Sequence, residues 1–292
     1  MEKAKSIYLK DSLTIEYIKK NFSWLLEANI ENAIIGISEE NKLMWYSGIW
    51  HDGKWVDGEW LMGMWEDGIW HNGVWTGGIW YNGEWHNGLW MRGGWHGGEW
   101  RGGMWKEGIW YNGIRYGGEW QNGIFKEGIW EDGIWYNGIW LNGEWHKGTW
   151  CNGVWNNGIW RDGIWSKGIW HNGEWHHGEW INGEWHNGIW HKGEWDNGIW
   201  LNGEWHKGTW CNGVWHNGEW HTGCWGYGKW KDGIWHRGMW RNGEWHGGTW
   251  FNGTWCNGVW HNGEWIDGTW DGGRDSMNNF KDRPPSEWRV LR

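Results

Sequence analysis

Residues 169–183 read Ile-Trp-His-Asn-Gly-Glu-Trp-His-His-Gly-Glu-Trp-Ile-Asn-Gly, three copies of one five-residue phrase in which Trp170, Trp175 and Trp180 alternate with Gly173, Gly178 and Gly183. Followed outward in both directions, the phrase keeps its register. Gly occupies every fifth position from Gly48 to Gly273, and Trp every fifth position from Trp45 to Trp270, except at Arg115 and Phe125. A period held for about 230 residues without insertion or deletion marks a repeat architecture, in which each unit buries its apolar face against its neighbours.

Composition removes several other classes. The 292 residues include 46 Trp and 55 Gly but only 2 Pro, which excludes collagen and polyproline rods. No apolar run approaches the ~20 residues of a membrane helix, and the N-terminus lacks the basic-then-apolar layout of a signal peptide. The net charge of −10 argues against a generic nucleic-acid binder.

The residue before each repeat Gly is mostly Asn, Asp or another Gly, types that suit the positive φ of a tight corner. Between corners lies an extended segment centred on Trp, such as Glu144-Trp145-His146. Gly and Trp, two positions apart, project to one side of such a segment, and the residues flanking Trp project to the other. Trp therefore faces a core, Gly leaves room beside it, and the flanks face solvent. Two architectures meet this pattern. One is an all-β solenoid of stacked coils; the other is an antiparallel meander of three-residue strands joined by Asn-Gly turns. The meander would leave over forty indoles on one face of a thin ribbon, with too little remaining chain to cover them. The solenoid encloses them and is the expected fold.

A longer period sets the size of the coil. Of the 16 His, 15 directly follow a repeat Trp position. Sorted by steps of fifteen, these positions form three classes, and the class running from Tyr46, Leu61 and Thr76 to Cys256 and Asp271 holds no His. The identical segments around Cys151, Cys211 and Cys256 are offset by 60 and 45, both multiples of fifteen. Three units per coil and about fifteen coils are expected, with a four-sided coil as the alternative.

The G-x-W-x-x phrase resembles the pentapeptide-repeat proteins, whose units place a small residue and, two later, a large apolar one inside a four-sided β-helix. The resemblance covers about residues 44–273, and Gly168, Trp170 and their equivalents take the two inward places. This chain differs in using Trp rather than Leu or Phe, in its strict Gly and in its fifteen-residue bias. MORN repeats are a weaker match. Some members of that family mimic duplex DNA and block topoisomerases, a role the resemblance implies as one alternative. Similar Trp-rich arrays point to a viral or bacterial setting.

The flanks read differently. In residues 1–43, Asp11 or Ser12 is placed to cap an amphipathic segment containing Ile15, Tyr17, Ile18, Phe22, Trp24, Leu25 and Leu26, which predicts one helix or two. Ala33–Ser38 reads as a strand and Glu39–Lys42 as a turn. This N-terminal segment is expected to cover the first coil, since an open solenoid end exposes Trp faces and unpaired backbone. Residues 274–292, with Pro284-Pro285 and a mixed charge, read as a flexible tail in which Trp288 is placed to fold back onto the last coil.

Two outward rows are candidates for function. An apolar row, each member just before a Trp position, contains Ile49, Met64, Ile79, Ile109, Ile124, Ile139, Val154, Ile169, Ile199, Val214 and Val259. It is expected to serve as an interface for self-association or for a protein partner. A cationic ridge contains His176, His191, His206, His221 and His236, fifteen apart, with His177, Lys192, Lys207 and Arg237 beside them. Stacked imidazoles ~4.8 Å apart would resist charging together and could bind anions or sense pH. No zinc-type ligand set or cofactor motif is fixed by the spacing. H-x-G-E pairs such as His171–Glu174 offer only weak exposed contacts. Cys151, Cys211, Cys224 and Cys256 show no C-x-x-C, and reduced thiols without an export signal fit the cytoplasm, or a host cytoplasm or virion. With polar residues repeated rather than gathered into one pocket, a catalytic centre is not expected.

The expected function is a rod-like, non-enzymatic scaffold or protein-interaction module. An acidic DNA mimic comes second, on the −11 carried by the array. Binding of polysaccharide or ice by a flat repetitive face comes last. A long Thr ladder would favour ice, but of Thr149, Thr209, Thr254 and Thr269 only the last two fall one coil apart.

Overall fold

Each five-residue phrase folds into a two-residue strand, made by the residue in the Trp place and the one before it, and a corner at the repeat Gly, most often within an Asx-Gly pair. The computed structural model describes residues 7–10 and 13–287, which form two compact units, Met1–Gly148 and Thr149–Arg292. Each unit is a β-solenoid whose strands pair in parallel with those fifteen residues away. In the first, Glu84-Trp85 pairs with Ile69-Trp70 on one side and Glu99-Trp100 on the other. In the second, Glu174-Trp175 lies between Ile159-Trp160 and Ile189-Trp190. The coil is therefore three-sided. This excludes the four-sided cross-section, and the parallel pairing excludes the meander, whose neighbours would be antiparallel and five residues apart.

Successive coils are joined by backbone hydrogen bonds at two points in each unit of five. Ile169 N–H donates to the Gly153 carbonyl (3.0 Å) and His171 N–H to that of Trp155 (2.8 Å). At several corners the Asx side chain accepts from the next amide, as in Asp67 to Gly68 N–H (2.8 Å) and Asn112 to Gly113 N–H (2.7 Å). This is the local reason for Asn-Gly and Asp-Gly.

Inside, the indoles form three columns per unit. Rings of one column stack nearly parallel, Trp70 on Trp85 at 4.7 Å and Trp175 on Trp190 at 4.8 Å. Neighbours within a coil meet edge to face, as Trp170 and Trp175 do at 6.0 Å and 73°. Both arrangements suit the aromatic quadrupole. Most repeat Trp residues are wholly excluded from solvent. Because the indoles already fill the coil, Gly is required for a reason beyond room beside Trp. Gly173 has φ +124°, and a Cβ there would lie 2.4 Å from the Gly158 carbonyl oxygen of the coil before. The obstacle is the backbone of the neighbouring coil, which has no rotamer to give.

The N-terminal segment contributes β1 (Ile7–Leu9), α1 (Ile15–Asn21), a 3₁₀ turn (Ser23–Leu26) and β2 (Asn29–Ile37) before β3 (Leu43–Asp52) begins the first coil. Thr14 caps α1 by accepting from Tyr17 N–H; Asp11 and Ser12, the caps suggested by sequence, lie outside the described residues. β2 pairs antiparallel with β3, and Trp24 packs edge-on against Trp55 (5.2 Å).

At the other end, the described part of the expected flexible tail is ordered against the solenoid. Gly273–Asp275 pairs in parallel with the last coil and antiparallel with Phe280–Lys281. Trp270 Nε1–H donates to the Lys281 carbonyl (3.0 Å). The turn is held by Asp275, which accepts from Asn279 and Met277 N–H; these bonds, the Asn279 amide first, draw its carboxyl down to about 2. A terminal Trp needing a cover and a carboxylate needing donors decide this end, against its polar composition. Trp288 lies outside the described residues.

Candidate functional site

The register places the apolar row on one face of each unit. In the first, Ile49, Met64, Ile79, Gly94, Ile109, Ile124 and Ile139 are consecutive partners, broken only by Gly94. In the second, Val154, Ile169, Ile199, Val214 and Val259 share the row with Glu184, Lys229 and Glu244, so it is not a continuous apolar stripe. Lys229 and Glu244 pair at 3.4 Å. Ile139 and Ile199 are the most open members, at 40% and 36% exposure. Beside the row in the first unit, Tyr81, His96 and Tyr111 stack on one another at 5.0 and 4.4 Å, with Lys126 Nζ 4.4 Å from the Tyr111 ring. Sequence reasoning missed this ladder because its members are scattered one per fifteen residues.

The five ridge imidazoles stack on successive coils of the second unit. Ring centroids are 4.7 Å apart for His176–His191, 5.2 Å for His191–His206, 4.8 Å for His206–His221 and 4.9 Å for His221–His236. Phe251 continues the stack at 5.6 Å. Partial burial, with neighbouring imidazoles adding to it, holds His191 and His221 below the ordinary range. The corner residues His177, Lys192, Lys207 and Arg237 are exposed, and His177 Nδ1 lies 3.3 Å from Asp162.

The ridge is not purely cationic. The residue two before each His, on the same outward face, is Glu174, Ile189, Glu204, Glu219 or Ile234. Glu174 lies 3.2 Å from His176 Nε2 and 3.6 Å from His191 Nε2. Glu204 lies 3.3 Å from His206, and Glu219 lies 3.3 Å from His236. These carboxylates were outside the ridge read from sequence because the contact from Glu174 to His191 spans seventeen residues.

Two interior substitutions stand out in the first unit. Arg115 is fully buried in a Trp column, its guanidinium carbon 4.4 Å from the Trp130 ring and 5.3 Å from that of Trp100. None of its three side-chain nitrogens has a hydrogen-bond partner, and burial pushes the group down to about 9. Phe125 fills a Trp place in another column, 5.6 Å from Trp110 and 4.1 Å from Trp140.

The four Cys are free, and burial raises the thiols of Cys151, Cys211 and Cys256. The larger surface depressions are grooves running along coil corners. One of about 650 Å³ is lined by Gly58, Gly73, Gly88, Gly103 and the residues beside them. Among the described residues, no helix is long and apolar enough to cross a membrane.

No protein-family model and no curated protein matches the chain. Among solved structures, one is described, provisionally, as an acetyltransferase from Desulfovibrio desulfuricans G20. It shares 4% identity with this chain, each covering 64% of the other, at a TM-score of 0.12. This chain thus spans less than two thirds of that one, and so low a similarity carries no argument about fold or activity. What identifies the chain at the level of architecture is its own geometry: it is a three-sided, Trp-filled β-solenoid built from five-residue repeats, consistent with a pentapeptide-repeat-like protein.

Proposed function

We propose that this protein is a non-enzymatic scaffold whose repeated outward rows bind a protein partner or a second copy of the chain. The observation that carries this reading is the row Ile49–Ile139 of the first unit, where six of seven in-register positions are aliphatic or Met. The indoles already fill the interior, so these side chains are not needed for the core. An outward line of them costs solubility unless something covers it. Replacing Ile109, Ile124 and Ile139 together by Lys is expected to abolish association in sedimentation experiments. Unchanged sedimentation and partner capture would remove the reading.

The alternatives have weaker support. DNA mimicry calls for a nearly unbroken acidic surface, whereas Glu174, Glu204 and Glu219 share their row with Ile189 and Ile234 and lie against His176, His206 and His236 of the row beside it. Polysaccharide binding calls for aromatic faces open to a sugar ring, but Tyr81, His96 and Tyr111 spend their faces on each other. Thr254 and Thr269 are paired neighbours, too short a ladder for ice.

A further inference from the structure

The second unit repeats one constellation of donor atoms. A Glu and a His two residues apart on one strand meet a His of the next coil, seventeen residues after the Glu. It occurs as Glu174, His176 and His191, and again as Glu204, His206 and His221. In each set the donor atoms all lie within 4.8 Å of one another. A tetrahedral zinc ion with bonds of ~2.0–2.1 Å separates its ligand atoms by ~3.4 Å. In the first set Glu174 stands 3.2 and 3.6 Å from the two imidazole nitrogens, before any adjustment of rotamers.

The upper histidine of each set supplies an independent sign. His191 Nε2 and His221 Nε2 are covered from solvent and make no hydrogen bond, although each belongs to a half-exposed side chain. A covered nitrogen facing a carboxylate and a second imidazole suits a cation better than water. The strands beneath are also hydrogen-bonded to the coil before and backed by the core. His176 N–H donates to Trp160 O (2.8 Å), His191 N–H to Trp175 O (2.7 Å), and the stacked Trp175 and Trp190 lie behind them. Little ordering is left to be done when an ion arrives.

The geometry points to two divalent transition-metal sites on the outer face of the second unit, each with a His₂Glu donor set from two adjacent coils, of the zinc class. Imidazole nitrogen selects against magnesium and calcium, and three protein ligands leave a position for water. The two sites are two coils, roughly 10 Å, apart. Glu219 also approaches the second set, 4.0 Å from His221 Nε2, but it already pairs with His236 at 3.3 Å and is not counted as a ligand. Glu244, His246 and His261 form a third copy on another face, but Lys229 already pairs with Glu244 at 3.4 Å, which makes it the weakest. The inference goes beyond the scaffold reading and stands without it.

Zinc titration of the full chain by calorimetry, with Co²⁺ as the spectroscopic probe, tests it. Two tight sites and a tetrahedral Co²⁺ absorption are expected, unaffected by millimolar Mg²⁺. His191→Ala and His221→Ala should each remove one tight site, lowering affinity by more than the ~10–100-fold that outer-shell partners carry. His216→Ala, outside the sets, should change nothing, and unchanged indole emission will show that the variants are folded. Absence of tight zinc binding in the parent chain, or the same tight sites in the double variant H191A/H221A, would overturn the proposal.

Discussion

The two units build from one repeat and depart from it in opposite places. In residues 44–148 the departures are internal: Arg115 and Phe125 interrupt Trp columns, while one outward row stays nearly all aliphatic. In residues 149–273 the columns are unbroken Trp, and the variation lies outside, in stacked His, interleaved Glu and corner Lys. The difference separates what the fold demands from what it permits. A coil closed on three indoles and a corner pressed against the backbone of the next coil accept almost no change. An outward side chain meets only its neighbours fifteen residues away, and is free to carry chemistry.

The largest effect is expected at the corner. Gly173→Ala forces a Cβ toward the Gly158 carbonyl at an unfavourable φ, and should cost about 4 kcal/mol or more. A denaturation midpoint within error of the parent would show that the corner can move and that strict Gly has another cause.

Arg115→Trp restores the column. An unpaired buried cation, softened by contacts with indole faces, is replaced by the residue its column uses elsewhere, and stability should rise by about 2–4 kcal/mol. The sign with pH can be worked out. The native group releases its proton near 9 and the unfolded one at a much higher pH, so the unfolded chain holds more protons between them. The parent therefore gains stability as pH rises above about 9, and its deficit against the variant should narrow there. A deficit independent of pH would mean that the cost is one of shape.

Phe125→Trp should be milder, a gain of about 1 kcal/mol if its niche keeps the dimensions of its neighbours. Destabilisation instead would show that the column has closed around Phe, as the 4.1 Å contact with Trp140 suggests for one side.

The smallest effect belongs to the outside. Burial, with His186 beside it, holds His171 below its ordinary 6.5. The unfolded state then binds more protons below that value, and stability should fall slightly as pH drops through 6.5 toward the native value. Replacing His171 by Gln should flatten that slope, as measured by chemical denaturation at several pH values. An unchanged slope would assign the effect to other His.

Much of this molecule was legible from residue spacing. A Trp every five residues favoured an enclosed column over a meander that could not cover its indoles, and the His-free class at steps of fifteen favoured three sides over four. The stacking of His176 through His236 followed directly. Other features were hidden by distance along the chain. Asp275 and Lys281 order a segment whose composition reads as a tail. The Tyr81–His96–Tyr111 ladder needs the coil spacing before its members become neighbours.

Periodicity alone determined which side chains are buried, because an indole is too large and apolar to be left outside forty times over. Only the stacked structure decided what meets across coils. Glu174 touches His191 because the chain returns after one circuit, displaced by a single strand spacing. Parallel pairing turns a separation of fifteen residues into one of about 5 Å, and that lateral proximity creates every candidate site on the surface.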